Sequence, residues 1–452
     1  MVKQMTEGRP LKLIFGFSVP LILGNVIQQM YSWADTMMVG KLISNEALAA
    51  VGATGAITFL ILGFVNGVTE GSCILLARYF GAGDNKNLRK CAVNLVVVCC
   101  SVVAVLTAVA LRFNREILDI MKTPDNIIAD TEAYLQIIYA GMFTLMLYNL
   151  GAGILRALGD SRSPLYFLVI ASILNIVLNY VFIVYFSMGV RGAAYGTIVA
   201  QLVSGILCFV FIFAKCRIIR PERPDLKLQG NLVIKICMMG IPMALQYSIT
   251  AIGSIFLQTA INNLGSDTIA AFTVGEKVLN FSWAVLNCIG VALANFCSQN
   301  VGAMKIDRVK SGVKATLRII FVLTVVFALI LLFFGKYIAM LFLENNSENV
   351  LEIIEMFFRI QAPCLFALSM IGVFRNVIQG TGYSLQAMLA GIFELVGRST
   401  IALGFVGKYG FVAACVASPC AWILADCLLI PMYFYVMRKL SAKVNYEKTL
   451  SA

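Results

Sequence analysis

Asp35 is a carboxylate inside a long apolar stretch, and two uncharged polar residues precede it at helical spacing. Gln28, Ser32 and Asp35 stand at positions i, i+4 and i+7, so a helix through this stretch places all three on one face. A carboxylate at the centre of a membrane-spanning helix costs about 3 kcal/mol, so its presence needs a functional reason. The stripe therefore predicts a polar site that faces other helices rather than lipid.

Two later stretches supply further oxygen atoms at the same spacing. Asn175 and Asn179 are one helical turn apart, and Ala193 and Thr197 repeat this spacing in the next stretch, with Gln201 one turn further on. Together with the carboxylate, two amides, a hydroxyl and a backbone carbonyl form an all-oxygen set, which suits Na⁺ or, through the carboxylate, a proton. The spacing alone fits equally well with hydrogen bonds that only hold helices together, and both interpretations stay open.

The composition is that of an integral membrane protein. Of the 452 residues, 60% are hydrophobic and 13% are charged, whereas soluble globular domains have about 25% charged residues. A helix needs about 20 mostly apolar residues to cross a bilayer. The chain therefore has room for about ten to thirteen spans and for no large soluble domain.

Twelve apolar stretches are long enough to be such spans. The first half contains six, at 13–38, 47–77, 91–111, 131–155, 164–186 and 192–214. The second half contains another six, at 235–262, 267–299, 314–335, 351–378, 386–406 and 409–437. The predicted fold class is all-α integral membrane, with about twelve transmembrane helices in two six-helix lobes.

The net charge of +12 is concentrated in alternate connections between the spans. Lys and Arg cluster in 78–90, 215–235 and 300–314 and near both ends of the chain. Because these residues collect in cytoplasmic loops, we expect both termini to be cytoplasmic and the protein to lie in the cell membrane. They form no stripe interleaved with stacking aromatics, so no nucleic-acid partner is expected.

The two halves of the chain resemble each other at a spacing of about 220 residues. SerValPro at 18–20 corresponds to GlyIlePro at 240–242, and GlyAla at 81–82 corresponds to GlyAla at 302–303. Six spans per half is an even number, so both halves have the same orientation, as in two-lobed transporters with a parallel repeat. We divide the chain into an N-terminal lobe at 1–214, a cytoplasmic linker at 215–234, a C-terminal lobe at 235–437 and a cytoplasmic tail at 438–452.

Other polar and aromatic residues in the spans are weaker candidates for a substrate cavity. These candidates are Gln28, Tyr31, Ser32, Gln201, Gln246, Thr250, Glu276 and Trp283. Glu276 could offer negative charge to a cationic substrate, and aromatic rings could stack on a flat cation, although packing is the simpler explanation for them. Glu394 and Arg398 are one turn apart, which predicts a buried i, i+4 ion pair.

Several functional classes are excluded by what the sequence lacks. There is no histidine and no CxxC pair, which excludes a Cys/His zinc site and a histidine proton relay. There is no GxxxxGK[ST] and no GxSxG, so neither an ATPase nor a covalent hydrolase is supported. We expect no enzyme activity and no cofactor, and the energy for transport must come from an ion gradient.

Four segments resemble signatures of the multidrug and toxic compound extrusion (MATE) family. They are the stretch 20–40, GlyAlaGlyAsp at 81–84, ArgAlaLeuGlyAspSerArgSerPro at 156–164 and GlyValArgGlyAlaAlaTyrGlyThr at 189–197. The resemblance covers essentially the whole chain. It implies a cation-coupled antiporter that exports drugs or metabolites through an outward-open V between two six-helix lobes.

The resemblance also implies roles for particular residues. The family's N-terminal cation site matches Asp35, Asn175, Asn179, Ala193 and Thr197 here. Some members carry an essential glutamate on helix seven, where this chain has Thr250, and the counterpart of Asp35 in the second half is Leu257. The chain therefore looks like members that couple through the N-terminal lobe alone.

The leading functional hypothesis is a secondary active antiporter that exports amphipathic cationic compounds in exchange for H⁺ or Na⁺. Its expected partners are a small-molecule substrate and the lipid bilayer, and it is expected to work as a monomer. A first alternative is a flippase for lipid-linked precursors of the same wider superfamily, which needs a strongly basic cavity. A second alternative is a receptor or scaffold that transports nothing.

Overall fold

A computed structural model describes residues 4–121, 123–342 and 348–451, and these are almost wholly helical, with no strand among them. Eleven of the described helices are long and apolar enough to cross a membrane. A bent pair, Asp125–Ala140 with Met142–Ala157, passes the same test as one span with a bend of 44°. The prediction of an all-α membrane protein with about twelve spans is confirmed.

Among the described residues, the first half of the chain contains nine α-helices. They are α1 Pro10–Leu42, α2 Asn45–Ala53, α3 Gly55–Gly81, α4 Asn85–Arg112, α5 Asn114–Ile120, α6 Asp125–Ala140, α7 Met142–Ala157, α8 Arg162–Tyr180 and α9 Val190–Lys215. The π-helical turn Val181–Tyr185 continues α8. The linker that follows α9 contains two 3-10 turns, Arg217–Ile219 and Arg223–Leu226.

The described part of the second half contains six α-helices. They are α10 Gly230–Ile261, α11 Ser266–Gly302, α12 Ile306–Met340, α13 Glu348–Gly380, α14 Ser384–Gly404 and α15 Val406–Ser451. The 3-10 turn Asn262–Leu264 lies between α10 and α11. Gly410 interrupts α15 with a non-helical conformation (φ 60°, ψ −143°), which glycine adopts without a Cβ penalty.

The stretch predicted as one long span at 47–77 is two helices. Ser44 begins α2 by accepting a hydrogen bond from the Ala47 N–H at 3.0 Å. The Thr54 hydroxyl donates to the Val51 carbonyl at 2.7 Å, at the junction between α2 and α3. Thr54 is thus the residue at which α2 ends and α3 begins.

Left-handed turns occur at matching places in the two halves. The pairs are Gly83 (φ 71°) with Met304 (φ 57°), Gly159 (82°) with Gly382 (91°), and Gly189 (56°) with Gly410 (60°). Their members are 221, 223 and 221 positions apart. The backbone therefore turns in the same way at equivalent points, as a parallel repeat requires.

Contacts divide the chain into two compact units. Unit 1 contains Val19–Ala244, and unit 2 contains Met5–Ser18 with Leu245–Ala452. Both divisions fall inside a helix, in α1 and in α10, within two residues of Pro20 and Pro242. A proline inside a helix removes one backbone hydrogen bond and bends the helix. The units therefore separate at these prolines, whereas the sequence-based division used the linker.

Unit 1 shows why its helices can approach closely. A Cβ at Gly67 of α3 would lie 2.4 Å from the Ala244 Cα, so only glycine permits this contact with α10. Small residues at such positions are the usual means of close helix packing in membranes.

The linker is fixed to α4 by polar contacts within unit 1. The Arg89 Nε donates to the Asp225 carboxylate at 2.8 Å, and the Gln229 N–H donates to the Asn94 Oδ1 at 2.9 Å. The hydrogen bond from Arg89 lowers the pKa of the buried Asp225 carboxyl. The linker is thus an ordered part of unit 1.

Candidate cation site in unit 1

The Asp35 carboxylate lies on α1, beyond Pro20, and faces α8. Its Oδ1 accepts a hydrogen bond from the Asn179 amide. The side chain is half-buried, so the carboxylate is neither fully solvated nor sealed in the core. The polar stripe predicted from the sequence therefore does turn its carboxylate toward a neighbouring helix.

The asparagines of α8 connect Asp35 to α9. The Asn179 Nδ2 lies 3.4 Å from the Asn175 Oδ1, and the Asn175 Nδ2 donates to the Thr197 Oγ1 at 3.3 Å. Thr197 in turn donates to the Ala193 carbonyl at 3.1 Å. All five residues predicted for the cation site are thus joined in one continuous chain of hydrogen bonds.

A glycine on α9 makes this arrangement possible. A Cβ at Gly196 would lie 1.9 Å from the Asn179 Oδ1, which no side chain could tolerate without moving the amide. Asn175 and Asn179 are 2% and 0% exposed, so the amides are held between α8 and α9. The π-helical turn Val181–Tyr185 follows directly, and such turns are frequent at functional sites.

One acceptor in the site has no partner. The Asn179 Oδ1 is buried and accepts no hydrogen bond, although an unsatisfied buried polar atom costs about 1–3 kcal/mol. The available donor atoms to a cation are a carboxylate, two amide oxygens, a hydroxyl and a carbonyl, all hard oxygens. Such a set fits Na⁺, or a proton on Asp35, and the orphan oxygen gives the incoming charge an unused ligand.

Most of the oxygen ligands in the candidate cation site are uncharged, because Asp35 is its single carboxylate. Within the described ranges, no group of three or more His, Cys, Asp or Glu side chains is placed to hold a metal ion. A divalent metal usually needs more negative charge than one carboxylate supplies, whereas a monovalent ion does not. The charge of the site therefore matches a monovalent cation.

Two tyrosines border the carboxylate. Tyr31, one turn before Asp35, interacts electrostatically with it and hydrogen-bonds to Gln28. Tyr134 of α6 interacts with both Asp35 and Tyr31 and is buried. Sequence reasoning missed Tyr134, because nothing in its spacing distinguishes it from the other tyrosines of the chain.

The weaker cavity candidates of unit 1 lie around this site without forming part of its hydrogen-bond chain. Gln28 and Ser32 are exposed, and Tyr31 and Gln201 are half-buried. Ser32 contributes only its carbonyl, which accepts from the Thr36 hydroxyl at 2.9 Å. Their role in a substrate cavity stays a prediction.

Among the weaker candidates of unit 2, Gln246 is buried in packing contacts, whereas Trp283 and Glu276 are only half-buried. Gln246 is buried and accepts from the Gln379 Nε2 at 2.8 Å, and the Thr250 hydroxyl donates to the Gln246 carbonyl at 3.0 Å. Trp283 is half-buried and lies beside Gly372 of α13. Glu276 is half-buried and interacts electrostatically with Arg398.

The predicted ion pair between Glu394 and Arg398 is wrong. Glu394 pairs with Arg375 of α13, and both side chains are buried. The Arg398 Nη1 donates instead to the Ser254 hydroxyl at 3.2 Å. The i, i+4 spacing identifies residues on one face, but it cannot show that a neighbouring helix brings a nearer arginine. An arginine inside the apolar stretch 351–378 was the signal that could have revealed Arg375.

Comparison with known proteins shows which family the sequence matches. The MatE family model matches residues 20–181 and 242–402, once in each half. The chain is similar to the probable multidrug resistance protein YoeA of Bacillus subtilis, with 24% identity over 433 residues covering 94% of this chain and 93% of that protein. It is also similar to the FAD transporter of Shewanella oneidensis, with 24% identity over 405 residues and 88% of each chain covered.

The fold is shared with a solved structure. The outward-facing conformation of a multidrug resistance MATE family transporter of the MOP superfamily matches with a TM-score of 0.89, covering 97% of each chain. The sequence identity is 22%, so this likeness concerns the fold alone.

Proposed function

This chain belongs to the MatE family of multi-pass membrane transporters, and we propose that it is an antiporter that exports amphipathic organic compounds in exchange for H⁺ or Na⁺. The observation that carries the proposal is the hydrogen-bond chain from Asp35 through Asn179, Asn175 and Thr197 to the Ala193 carbonyl. This series of hydrogen bonds begins at the Asp35 carboxylate, and the Asn179 Oδ1 within it has no hydrogen-bond partner.

The series of hydrogen bonds links ion binding at Asp35 to the positions of α8 and α9. As a carboxylate, Asp35 accepts from the Asn179 amide N–H. When Asp35 binds a proton or Na⁺, the new O–H or the cation needs an oxygen partner, and the unpartnered Asn179 Oδ1 supplies it if the amide turns toward the site. Because Asn179 is linked to Asn175, and Asn175 to Thr197, the change reaches both α8 and α9.

The coupling ion supplies the free energy for export. One unit charge crossing the membrane is worth about 2.3 kcal/mol per 100 mV, and a pH gradient adds to this. Parallel repeats in transporters support alternating access, in which the ion site and the substrate site open to one side at a time. The protein is proposed to work in this way as a monomer in the cell membrane, without a cofactor and with both termini in the cytoplasm.

Charge in unit 2 argues against the flippase alternative. A pyrophosphate-carrying lipid needs excess positive charge, but the buried arginines Arg375 and Arg398 lie among Glu276, Glu394 and Asp426. Two arginines among three acids leave no excess positive charge for a pyrophosphate, which argues against this alternative. The name of the similar FAD transporter makes an anionic, flat substrate the second candidate.

The test is transport in proteoliposomes with a pH gradient and a Na⁺ gradient imposed separately. Ethidium serves as the cationic probe and FAD as the anionic one. We expect one of the two gradients to drive ethidium, and Asp35→Asn to lose this transport. Asp307→Asn removes the same charge from a fully exposed side chain and should change nothing. Undiminished transport by the Asp35 variant, or none by the wild type under either gradient, contradicts the proposal.

A further inference from the structure

Unit 2 contains its own group of charged side chains. Arg375 lies on α13, Glu394 and Arg398 on α14, and Asp426 on α15, and all four are between 4% and 7% exposed. Glu276 on α11 is half-buried beside Arg398. Five charged groups at this depth in membrane helices are costly unless they balance one another.

The pairing within this group is incomplete. Glu394 takes the hydrogen bond of Arg375, and Arg398 binds the Ser254 hydroxyl and interacts with Glu276. Asp426 interacts with Arg375 through space, but its Oδ1 is buried without a hydrogen-bond partner. The Arg375 Nε is likewise buried without one.

The charges of the group balance only if one proton is bound. Arginine stays charged in proteins, so the two guanidinium groups contribute two positive charges against three carboxyls. Glu394 is hydrogen-bonded to Arg375, and Glu276 is half-exposed beside Arg398. Asp426 alone combines burial with an unpartnered oxygen, so protonation there removes the largest unpaired charge.

We propose that Asp426 is a second proton-binding site, in which Arg375 is shared between Glu394 and Asp426 once Asp426 releases its proton. The guanidinium has five N–H donors, and its unused Nε can serve the second carboxylate while the first is kept. Protonation would then alter how α15 is held to α13 and α14. The site is independent of the Asp35 position, whose counterpart in this half is Leu257.

The groups that face Asp426 set its response to pH. Arg375 interacts with it directly, and Arg375 also interacts with Tyr247 of α10 and with Arg398. Glu394 reaches it through Arg375, and Glu276 reaches it through Arg398. The proposal concerns proton binding itself and extends the proposed antiport only in adding a second coupled proton.

Infrared difference spectroscopy of the full-length protein in lipid nanodiscs tests proton binding without any substrate. The acid-minus-alkaline spectrum of the wild type should contain the carbonyl stretch of a buried protonated carboxyl. Asp426→Asn should lose a band that Asp35→Asn keeps, which separates it from any band of Asp35 itself, and Asp307→Asn is the exposed control. A spectrum of Asp426→Asn identical to that of the wild type overturns the proposal. A carboxyl that stays protonated throughout the pH range gives no such band, and that result overturns it too.

The stability of the same variant provides a second test. Asparagine imitates the protonated carboxyl, so Asp426→Asn should unfold at the wild-type temperature at low pH. A strongly lowered unfolding temperature at low pH would show that an ionised Asp426 holds Arg375, contrary to the proposal. In ethidium transport driven by pH, the variant should move one proton fewer per cycle. If the wild type does not transport ethidium, the proposed function is wrong, but the infrared test of Asp426 still stands. Failure of the proposed function can therefore be told apart from failure of the proton-binding proposal.

Discussion

Asn175 and Arg398 occupy equivalent positions in the two halves of the chain, each sixteen residues after a left-handed glycine, Gly159 or Gly382. In unit 1 the amide of Asn175 is part of the candidate cation site. In unit 2 the guanidinium of Arg398 binds the Ser254 hydroxyl, so a permanently charged side chain takes the equivalent place. A permanently charged side chain therefore stands in the second half where the first half has an uncharged amide.

A second difference between the two halves of the chain lies on the first helix of each repeat. Leu257 stands 222 residues after Asp35, the same separation as between Pro20 and Pro242. Unit 2 therefore lacks the carboxylate at this place and carries its own positive charge nearby. The expected difference in function between the halves follows from two substitutions on an otherwise matching scaffold.

Gly196→Ala should disable the cation site. The added methyl would meet the Asn179 Oδ1 at 1.9 Å and push the amide away from Asp35. Overpacking of this kind costs about 1–3 kcal/mol, and a 1.4 kcal/mol loss in ion binding is about tenfold in affinity. The measurement is the ion concentration for half-maximal ethidium export. Gly16→Ala, on α1 with nothing within 4 Å, is the control, and equal effects of the two changes would refute the prediction.

Thr197→Val should weaken ion binding without unfolding the protein. It removes the hydroxyl that accepts from Asn175 and donates to the Ala193 carbonyl, at a net cost of about 1 kcal/mol, or several-fold in ion affinity. Thr259→Val removes an equivalent bond to the carbonyl four residues earlier, but from an exposed side chain. Export at a series of ion concentrations compares the two variants. The prediction is wrong if the Thr259 variant is affected as strongly.

Arg375→Met should destabilise unit 2 strongly. It leaves Glu394 buried without its partner, and breaking a buried ion pair costs about 3–5 kcal/mol. Arg359→Met breaks an i, i+4 pair with Glu355 whose side chains are 71% and 38% exposed, where about 0.5 kcal/mol is expected. Thermal unfolding in detergent measures both. A similar loss in the two variants would mean that the buried pair adds nothing beyond a surface pair.

Acid should release the linker from α4. The pKa of Asp225 is lowered in the folded protein by the hydrogen bond from Arg89, so its stabilising effect is present above the ordinary aspartate pKa of about 3.9. This effect is lost as the pH falls through the lowered folded value, because a protonated carboxyl no longer attracts the guanidinium. Protease cleavage of the linker should rise in that range.

In Asp225→Asn the linker should be cleaved readily at neutral pH as well. Glu222→Gln is the matched control, since Glu222 also lies 3.2 Å from Arg89 but its side chain is 67% exposed. Cleavage that is independent of pH in the wild type, or equal in both variants, would show that the contact between Asp225 and Arg89 does not hold the linker.

Helix number and the shared helix faces of the polar residues could be predicted from the sequence because each depends on local information, whereas the grouping of Asp35 with residues of α8 and α9 was implied by the family resemblance. Apolar length reveals a span, and Asn175 with Asn179 share a face by spacing alone. Partners across helices are not local. Glu394 has Arg398 one turn away but binds Arg375, which comes from α13. Tyr134 was missed for the same reason, since only the approach of α6 to α1 brings it near Asp35.

The left-handed turns are the most telling trace of how this protein arose. Three of them recur 221 to 223 residues later, even though one position holds methionine, Met304, where its counterpart is Gly83. A backbone that keeps a strained conformation with a poorly suited residue was inherited together with its neighbours. Two copies of one ancestral six-helix chain, fused in the same orientation, account for this. The turns match because the path of the chain depends on them, while side chains at equivalent places, such as Asp35 and Leu257, differ in charge.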